Sequence, residues 1–126
     1  MLHHLSFGVT DLARSSRFYD AVLSALGYVQ VWADDTAVGY GLCDREDLFA
    51  IKRRGAGARA PGEGFHLAFS APSRDAVDAF HRAAVLHGGT DNGQPGLRAD
   101  YGPHYYAAFV LDPDGYRIEA VINRCA

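Results

Sequence analysis

The sequence predicts an α+β fold: two βαβββ modules that form a curved mixed sheet around a concave site, with the helices outside. Three observations predict it. The chain repeats itself once at an offset of 62 residues, so that His4-Leu5-Ser6-Phe7 falls on His66-Leu67-Ala68-Phe69, Phe18 on Phe80, Ala21 on Ala83 and Gly27 on Gly89. Each half opens with an alternating apolar run and then turns to helical periodicity. The 126 residues, 48% of them hydrophobic, are enough for one core, whereas neither half alone is. The expected organisation is one domain over residues 1–126, with module one at 1–53, a linker at 54–64 and module two at 65–126.

The elements follow in order. From His3 to Val9, Leu5, Phe7 and Val9 fall on one face and His4, Ser6 and Gly8 on the other, the period of a half-buried strand. Thr10-Asp11 supplies N-cap chemistry for a helix whose stripe is Leu12, Phe18, Tyr19, Val22, Leu23 and Leu26, and Gly27 ends it. Three strands follow at Tyr28 to Ala33, Ala37 to Cys43 and Leu48 to Lys52, separated by turns at Asp34-Asp35 and Asp44 to Asp47. The linker holds four Gly and one Pro. The second half restarts at Phe65 to Ala71. Pro72-Ser73 then opens a helix carrying Ala76, Val77, Phe80, Ala83 and Ala84 on one face, ended by Gly88-Gly89. Asp91 to Gly102 reads as a loop with at most a short strand. A strand from Tyr105 to Leu111, a tight turn at Asp112-Pro113-Asp114-Gly115 and a strand from Tyr116 to Ile122 close the chain.

Composition narrows the function. A net charge of −3 offers no basic surface for nucleic acid. No run approaches the roughly 20 apolar residues that cross a bilayer, and the start Met-Leu-His-His is not that of a secretory signal. Cys43 and Cys125 form no CxxC pair and are expected to be a buried small residue and a frayed terminal thiol in a reducing cytoplasm. No Gly-rich phosphate loop or nucleophile elbow is present.

The face opposite the helices carries the chemistry. His4 and His66 hold equivalent places in the repeat, each followed on its own face by small residues, Ser6 and Gly8 or Ala68 and Ser70. Such residues leave room for a ligand. In the last strand Glu119 lies in the row opposite Ile118, Ala120 and Ile122, where a carboxylate is costly to bury unless paired or bound to a metal. Two imidazoles and a carboxylate suit a divalent transition metal (Fe, Mn, Co, Ni or Zn) with positions left open for substrate. The alternative is structural: a strand His is commonly satisfied or exposed, and Glu119 has Arg117 and Arg124 as possible partners. Tyr106 shares a row with Ala108 and is expected to face the cup, as a hydrogen-bond donor to an oxyanion, an acid or base, or a plain wall residue. His104, in a loop that could cap the cavity, is either an acid/base group or exposed. Trp32 and Tyr40 are rim candidates that strand parity does not place.

The opening His-Leu-Ser-Phe-Gly-Val-Thr-Asp-Leu-Ala-Arg-Ser-Ser-Arg-Phe-Tyr-Asp and the closing Phe-Val-Leu-Asp-Pro-Asp-Gly-Tyr-Arg-Ile-Glu-Ala-Val resemble the first strand–helix and the last hairpin of the vicinal-oxygen-chelate superfamily. That superfamily comprises glyoxalases, bleomycin-resistance proteins and extradiol dioxygenases. The resemblance covers nearly the whole chain and implies paired βαβββ modules around a metal cup, with the metal positions on His4, His66 and Glu119. It departs from the glyoxalase pattern at Leu48-Phe49-Ala50-Ile51, where a fourth ligand is often found and none stands here. The expectation is a metal-dependent glyoxalase- or dioxygenase-like enzyme acting on a small oxygen-chelating substrate. The rival is a metal-free small-molecule-binding protein of the bleomycin-resistance type. A homodimer is expected, with the ligands drawn from one chain or from both.

Overall fold

A computed structural model describes residues 1–43 and 46–125. The first half runs β1 (Leu5–Val9), α1 (Leu12–Ala25), β2 (Val29–Ala33), β3 (Ala37–Gly41) and β4 (Phe49–Arg53). A short 3-10 turn at Gly55–Gly57 leads to the second half: β5 (Leu67–Ser70), α2 (Arg74–Leu86), β6 (Thr90–Leu97), β7 (Tyr105–Leu111) and β8 (Arg117–Asn123). Both halves are therefore βαβββ. The expected turn from Asp44 to Asp47 lies partly outside the described residues.

Local chemistry sets the helix ends. Asp11 accepts the Arg14 N–H at 3.0 Å and Ser73 accepts the Ala76 N–H at 3.0 Å, each satisfying one of the orphan donors of a first turn. Gly27 (φ 92°) and Gly88 (φ 101°) leave the helices in the left-handed region that other residues adopt at a cost.

The two halves build two four-stranded sheets with equivalent strand orders, β1-β4-β3-β2 and β5-β8-β7-β6. In each, the first and last strands run parallel and the other pairs antiparallel. Among the described residues no strand of one sheet pairs with a strand of the other, so the curved sheet expected of the two modules is built as two sheets. β1 and β5 each keep a free edge. The segment expected as a loop from Asp91 pairs with β7 as β6, through two register irregularities at Asp91/Gly93 and Gly93/Gly96. Gly and Pro disfavour a strand, and pairing with β7 overrides that preference at a sheet edge, where Pro95 is tolerated.

One apolar cluster joins the helix-bearing faces of both sheets. Phe7 of β1 stacks on Tyr116 at 3.8 Å between ring centroids and meets Phe49 edge-on at 4.9 Å, and Phe49 in turn meets Phe69 of β5 at 5.3 Å. Phe18, Val22, Phe80 and Ala84 complete it from the helices, all fully buried. With those faces used, the opposite faces of both sheets point away from the core.

A polar joint crosses between the halves at the Asp112–Gly115 turn. Asp112 accepts the N–H groups of Asp114 and Tyr116, both at 2.9 Å, and the Tyr19 hydroxyl of α1 at 2.5 Å. Asp114 accepts from Thr10 at 2.8 Å, Arg14 at 2.9 Å and Ser15 at 3.3 Å. Burial, and then the neighbouring Asp112 charge, push the Tyr19 phenol well above its ordinary value of 10.0. Burial likewise raises the Asp112 carboxyl, against the pull of its hydrogen bonds.

Because the folded chain holds the Tyr19 proton more tightly than the unfolded chain, this contribution to stability is complete below about pH 10 and declines as pH rises above it. Urea midpoints measured from pH 8 to pH 11 should therefore fall at the alkaline end. In Tyr19→Phe the fall should be shallower, on top of a pH-independent loss of about 1–2 kcal/mol from the missing hydrogen bond. An unchanged alkaline slope in that variant contradicts this role for Tyr19.

Candidate functional site

The parallel pairing of β5 with β8 sets Ala68 beside Glu119 and brings His66, just before β5, against the carboxylate. His66 Nε2 lies 3.1 Å from Glu119 Oε1, and the other oxygen, Oε2, accepts the Tyr105 hydroxyl at 2.5 Å. Glu119 is 1% exposed, whereas the His66 side chain is 54% exposed. A buried carboxylate is thus held by two donors, one of which opens to solvent. Burial and the hydrogen bond to Glu119 push the Tyr105 phenol up to about 12, so it is a neutral donor at physiological pH.

Glu119, Val121 and Asn123 share a face with Phe109, Ala107 and Tyr105, the residues opposite them on β7. This corrects the expected facing of Tyr106. It lies in the other row and donates to Asp78 of α2 at 2.6 Å, with the Arg74 guanidinium 5.1 Å from its ring. Tyr105, not Tyr106, lies on the face of Glu119 and touches its carboxylate. The reason is physical: Tyr-Tyr-Ala-Ala-Phe-Val-Leu is apolar in both rows, so its own pattern carries no phase. The hairpin does carry one. Leu111 opposes Arg117, which shares its row with Glu119, and opposed residues point to the same side.

The remaining candidates lie elsewhere. His4 stands just before β1, shares an Nδ1–Nδ1 hydrogen bond of 2.8 Å with His3, and lines a cavity of about 370 Å³ whose walls are mostly apolar, among them Leu23, Tyr28, Tyr40, Phe49 and Phe69. Among the described residues no three His, Cys, Asp or Glu side chains gather closely enough to hold a metal ion. His66 and Glu119 are brought together, and His4 does not join them within one chain. His104 sits with its Nε2 3.3 Å from Cys125 Sγ. Cys43, expected to be buried, is exposed, as is Cys125, and both are free. Trp32 packs over Gly39, where a Cβ would collide with the indole, while Tyr40 donates to Asp20 at 2.9 Å and lines the same cavity as His4. No helix among the described residues is long and apolar enough to cross a membrane.

Comparison with known proteins agrees with this architecture. Residues 1–120 match the family model described as the Glyoxalase/Bleomycin resistance protein/Dioxygenase superfamily. No curated protein matches the sequence. Among solved structures, a glyoxalase/bleomycin resistance protein from Albidiferax ferrireducens T118 is 36% identical, with 96% of this chain and 97% of that chain covered and a TM-score of 0.81. A glyoxalase/bleomycin resistance protein/dioxygenase family enzyme from Burkholderia phytofirmans PsJN is 19% identical over 97% and 98% of the two chains, with a TM-score of 0.72. A mutant of glyoxalase I from Zea mays is 22% identical over 95% of this chain and 46% of that one, with a TM-score of 0.73. The paired βαβββ halves, the family match along nearly the whole length and a relative at 36% identity together show that this chain belongs to the Glyoxalase/Bleomycin resistance protein/Dioxygenase superfamily.

Proposed function

We propose that the protein is a metal-dependent enzyme of the glyoxalase or dioxygenase type whose site forms between two copies of the chain. The observation that carries this reading is the convergence of His66 and Glu119 on the sheet face opposite the helices, a nitrogen and an oxygen donor of the kinds that divalent transition metals take. A third donor is needed, and His4 holds the equivalent place in the repeat, at the head of an edge strand. A second copy that sets its β1 edge against this β5 edge would extend the sheet and bring its His4 toward His66 and Glu119. When bound, a divalent ion (Fe, Mn, Co, Ni or Zn) would supply Lewis acidity to two neighbouring substrate oxygens.

The chain's own residues have definite tasks in this reading. Glu119 is fixed by Tyr105, so it meets its partners without reorganising. His66, half exposed, marks the side from which a small substrate enters. Tyr105, neutral at physiological pH, keeps its proton and donates a hydrogen bond to Glu119. Tyr106 lies outside this set because Asp78 holds it on the helix side. His104, whose contact is Cys125, is left as a candidate acid or base at the rim.

A second reading has its own support. Glu119 is already satisfied within one chain by His66 and Tyr105, as the polar floor of a metal-free binding site would be. The bleomycin-resistance type of function fits that arrangement.

Metal analysis separates the two. Protein prepared without a His-tag and titrated with Fe, Mn, Co, Ni and Zn should take one ion per chain, and His4→Ala, His66→Ala and Glu119→Gln should each weaken binding at least tenfold. Mixing His4→Ala with His66→Ala after mild unfolding should restore one tight site per mixed dimer, because one of the two shared sites then keeps all its donors. Restoration absent, with each variant folded, rules out a shared site; no metal taken up by the wild type leaves the metal-free reading. A third expectation concerns the second tyrosine pair. Tyr105→Phe strips a donor from a buried carboxylate and should cost about 1–3 kcal/mol in urea unfolding. Tyr106→Phe should leave metal affinity unchanged.

A further inference from the structure

Arg98 lies on the same open face as Glu119 and is held there in a fixed pose. Its backbone N–H donates to Tyr105 O at 2.8 Å, which places it in the Tyr105 row. Its side chain folds back along the sheet: Nη1 donates to Gly96 O at 2.9 Å, Nη2 to Gln94 O at 2.6 Å, and the guanidinium carbon stands 5.2 Å from the centre of the Phe109 ring. Gly93 makes the stack possible. A Cβ there would fall 2.9 Å from Phe109 and 3.3 Å from Arg98 Nη2. Phe109 is the residue directly opposite Glu119. β6, which leads into Arg98, and β8, which carries Glu119, thus lie about two strand spacings, roughly 10 Å, apart.

This cation pairs with no carboxylate among the described residues. Two of its five N–H groups are spent on carbonyl oxygens, and three, including Nε–H, are left. Backbone carbonyls orient the fork without neutralising it. A planar, charged, pre-oriented fork on an aromatic platform is the arrangement that recognises a carboxylate through two parallel hydrogen bonds.

We propose that Arg98 is a specificity residue that binds an anionic group, a carboxylate, at the far end of the substrate whose reacting oxygens lie at His66 and Glu119. The substrate class is then a small oxygen-chelating acid rather than a neutral or cationic compound. This rests on the metal-site reading for the near end only; the anion site at Arg98 stands by itself.

Two probes carry the test: the monohydroxamate of octanedioic acid, which has a chelating head and a terminal carboxylate, and the same molecule with a terminal amide. Calorimetry on nickel-loaded protein should show the acid binding about tenfold or more tightly than the amide. In Arg98→Met the preference should vanish while the amide's affinity is unchanged, and Arg98→Lys, which keeps the charge and loses the fork, should fall between. Equal binding of the two probes to the wild type overturns the proposal, as does a preference that survives in Arg98→Met. Should the protein take no metal, the metal-site reading fails, and benzoate against benzamide on the metal-free protein decides the matter. A benzoate preference lost in Arg98→Met supports the anion site, and its absence refutes it. Should Arg98→Met fail to fold, the same affinity ratio measured in Arg98→Lys decides between these outcomes.

Discussion

The joint between Asp112, Asp114 and the start of α1 is the constraint on which the rest depends. Two half-size βαβββ units, neither with enough apolar surface for its own core, must be held face to face. The Asp112–Gly115 turn does this with one carboxylate reaching Tyr19 and a second gathering Thr10, Arg14 and Ser15. Each partner that Asp114 takes lies within two turns of the α1 N-terminus, where the helix dipole also favours negative charge. The same turn launches β8, so the ties that close the core fix the strand that carries Glu119. Phe7 stacked on Tyr116, one residue past the turn, ties the apolar and polar parts of the joint together.

Using the helix-bearing faces for the core leaves only the outward faces for chemistry. A carboxylate that is 1% exposed on such a face needs an explanation, because an unpaired charge would not be tolerated. His66 and Tyr105 provide it, and they differ in kind. Tyr105 is a neutral donor to one carboxylate oxygen, while the half-exposed His66 reaches the other from the solvent side. The arrangement holds Glu119 oriented while one of its two partners stays open to solvent, the condition that a binding or catalytic carboxylate must meet.

Much of this was legible in the sequence because period and repeat are robust signals. The 62-residue offset placed both helices and the faces of β1 and β5, since each of those two strands alternates a large apolar side chain with a small or polar one, and the apolar row Ile118, Ala120 and Ile122 placed Glu119 on the opposite face of β8. β7 defeated the same reasoning. With both rows apolar, only its pairing with β8 fixes which tyrosine meets Glu119, and that is a contact between strands rather than a pattern within one. β6 was obscured for another reason: Gly93, Pro95 and Gly96 have the composition of a loop, and pairing with β7 prevails over their preference. Arg98 was invisible with it, because its position on the site's face follows from a strand that local chemistry does not announce. His4 was identified from the repeat, but its distance from His66 and Glu119 depends on how the two halves are joined, which no local pattern encodes.

The free edges of β1 and β5 bear on the same site. An edge strand left open on a small domain invites pairing, and proteins that avoid it use charge, proline or a covering segment. Leu-Ser-Phe-Gly-Val and Leu-Ala-Phe-Ser carry no charge and no proline. These two edges belong to the strands that lead from His4 and His66. Pairing them between copies would satisfy the edges and gather donors from two chains in a single event. On the proposed reading, an ion held only by the paired form would also stabilise that form by mass action. Assembly and site formation would then be one equilibrium, with the half-built site of each chain as its starting point.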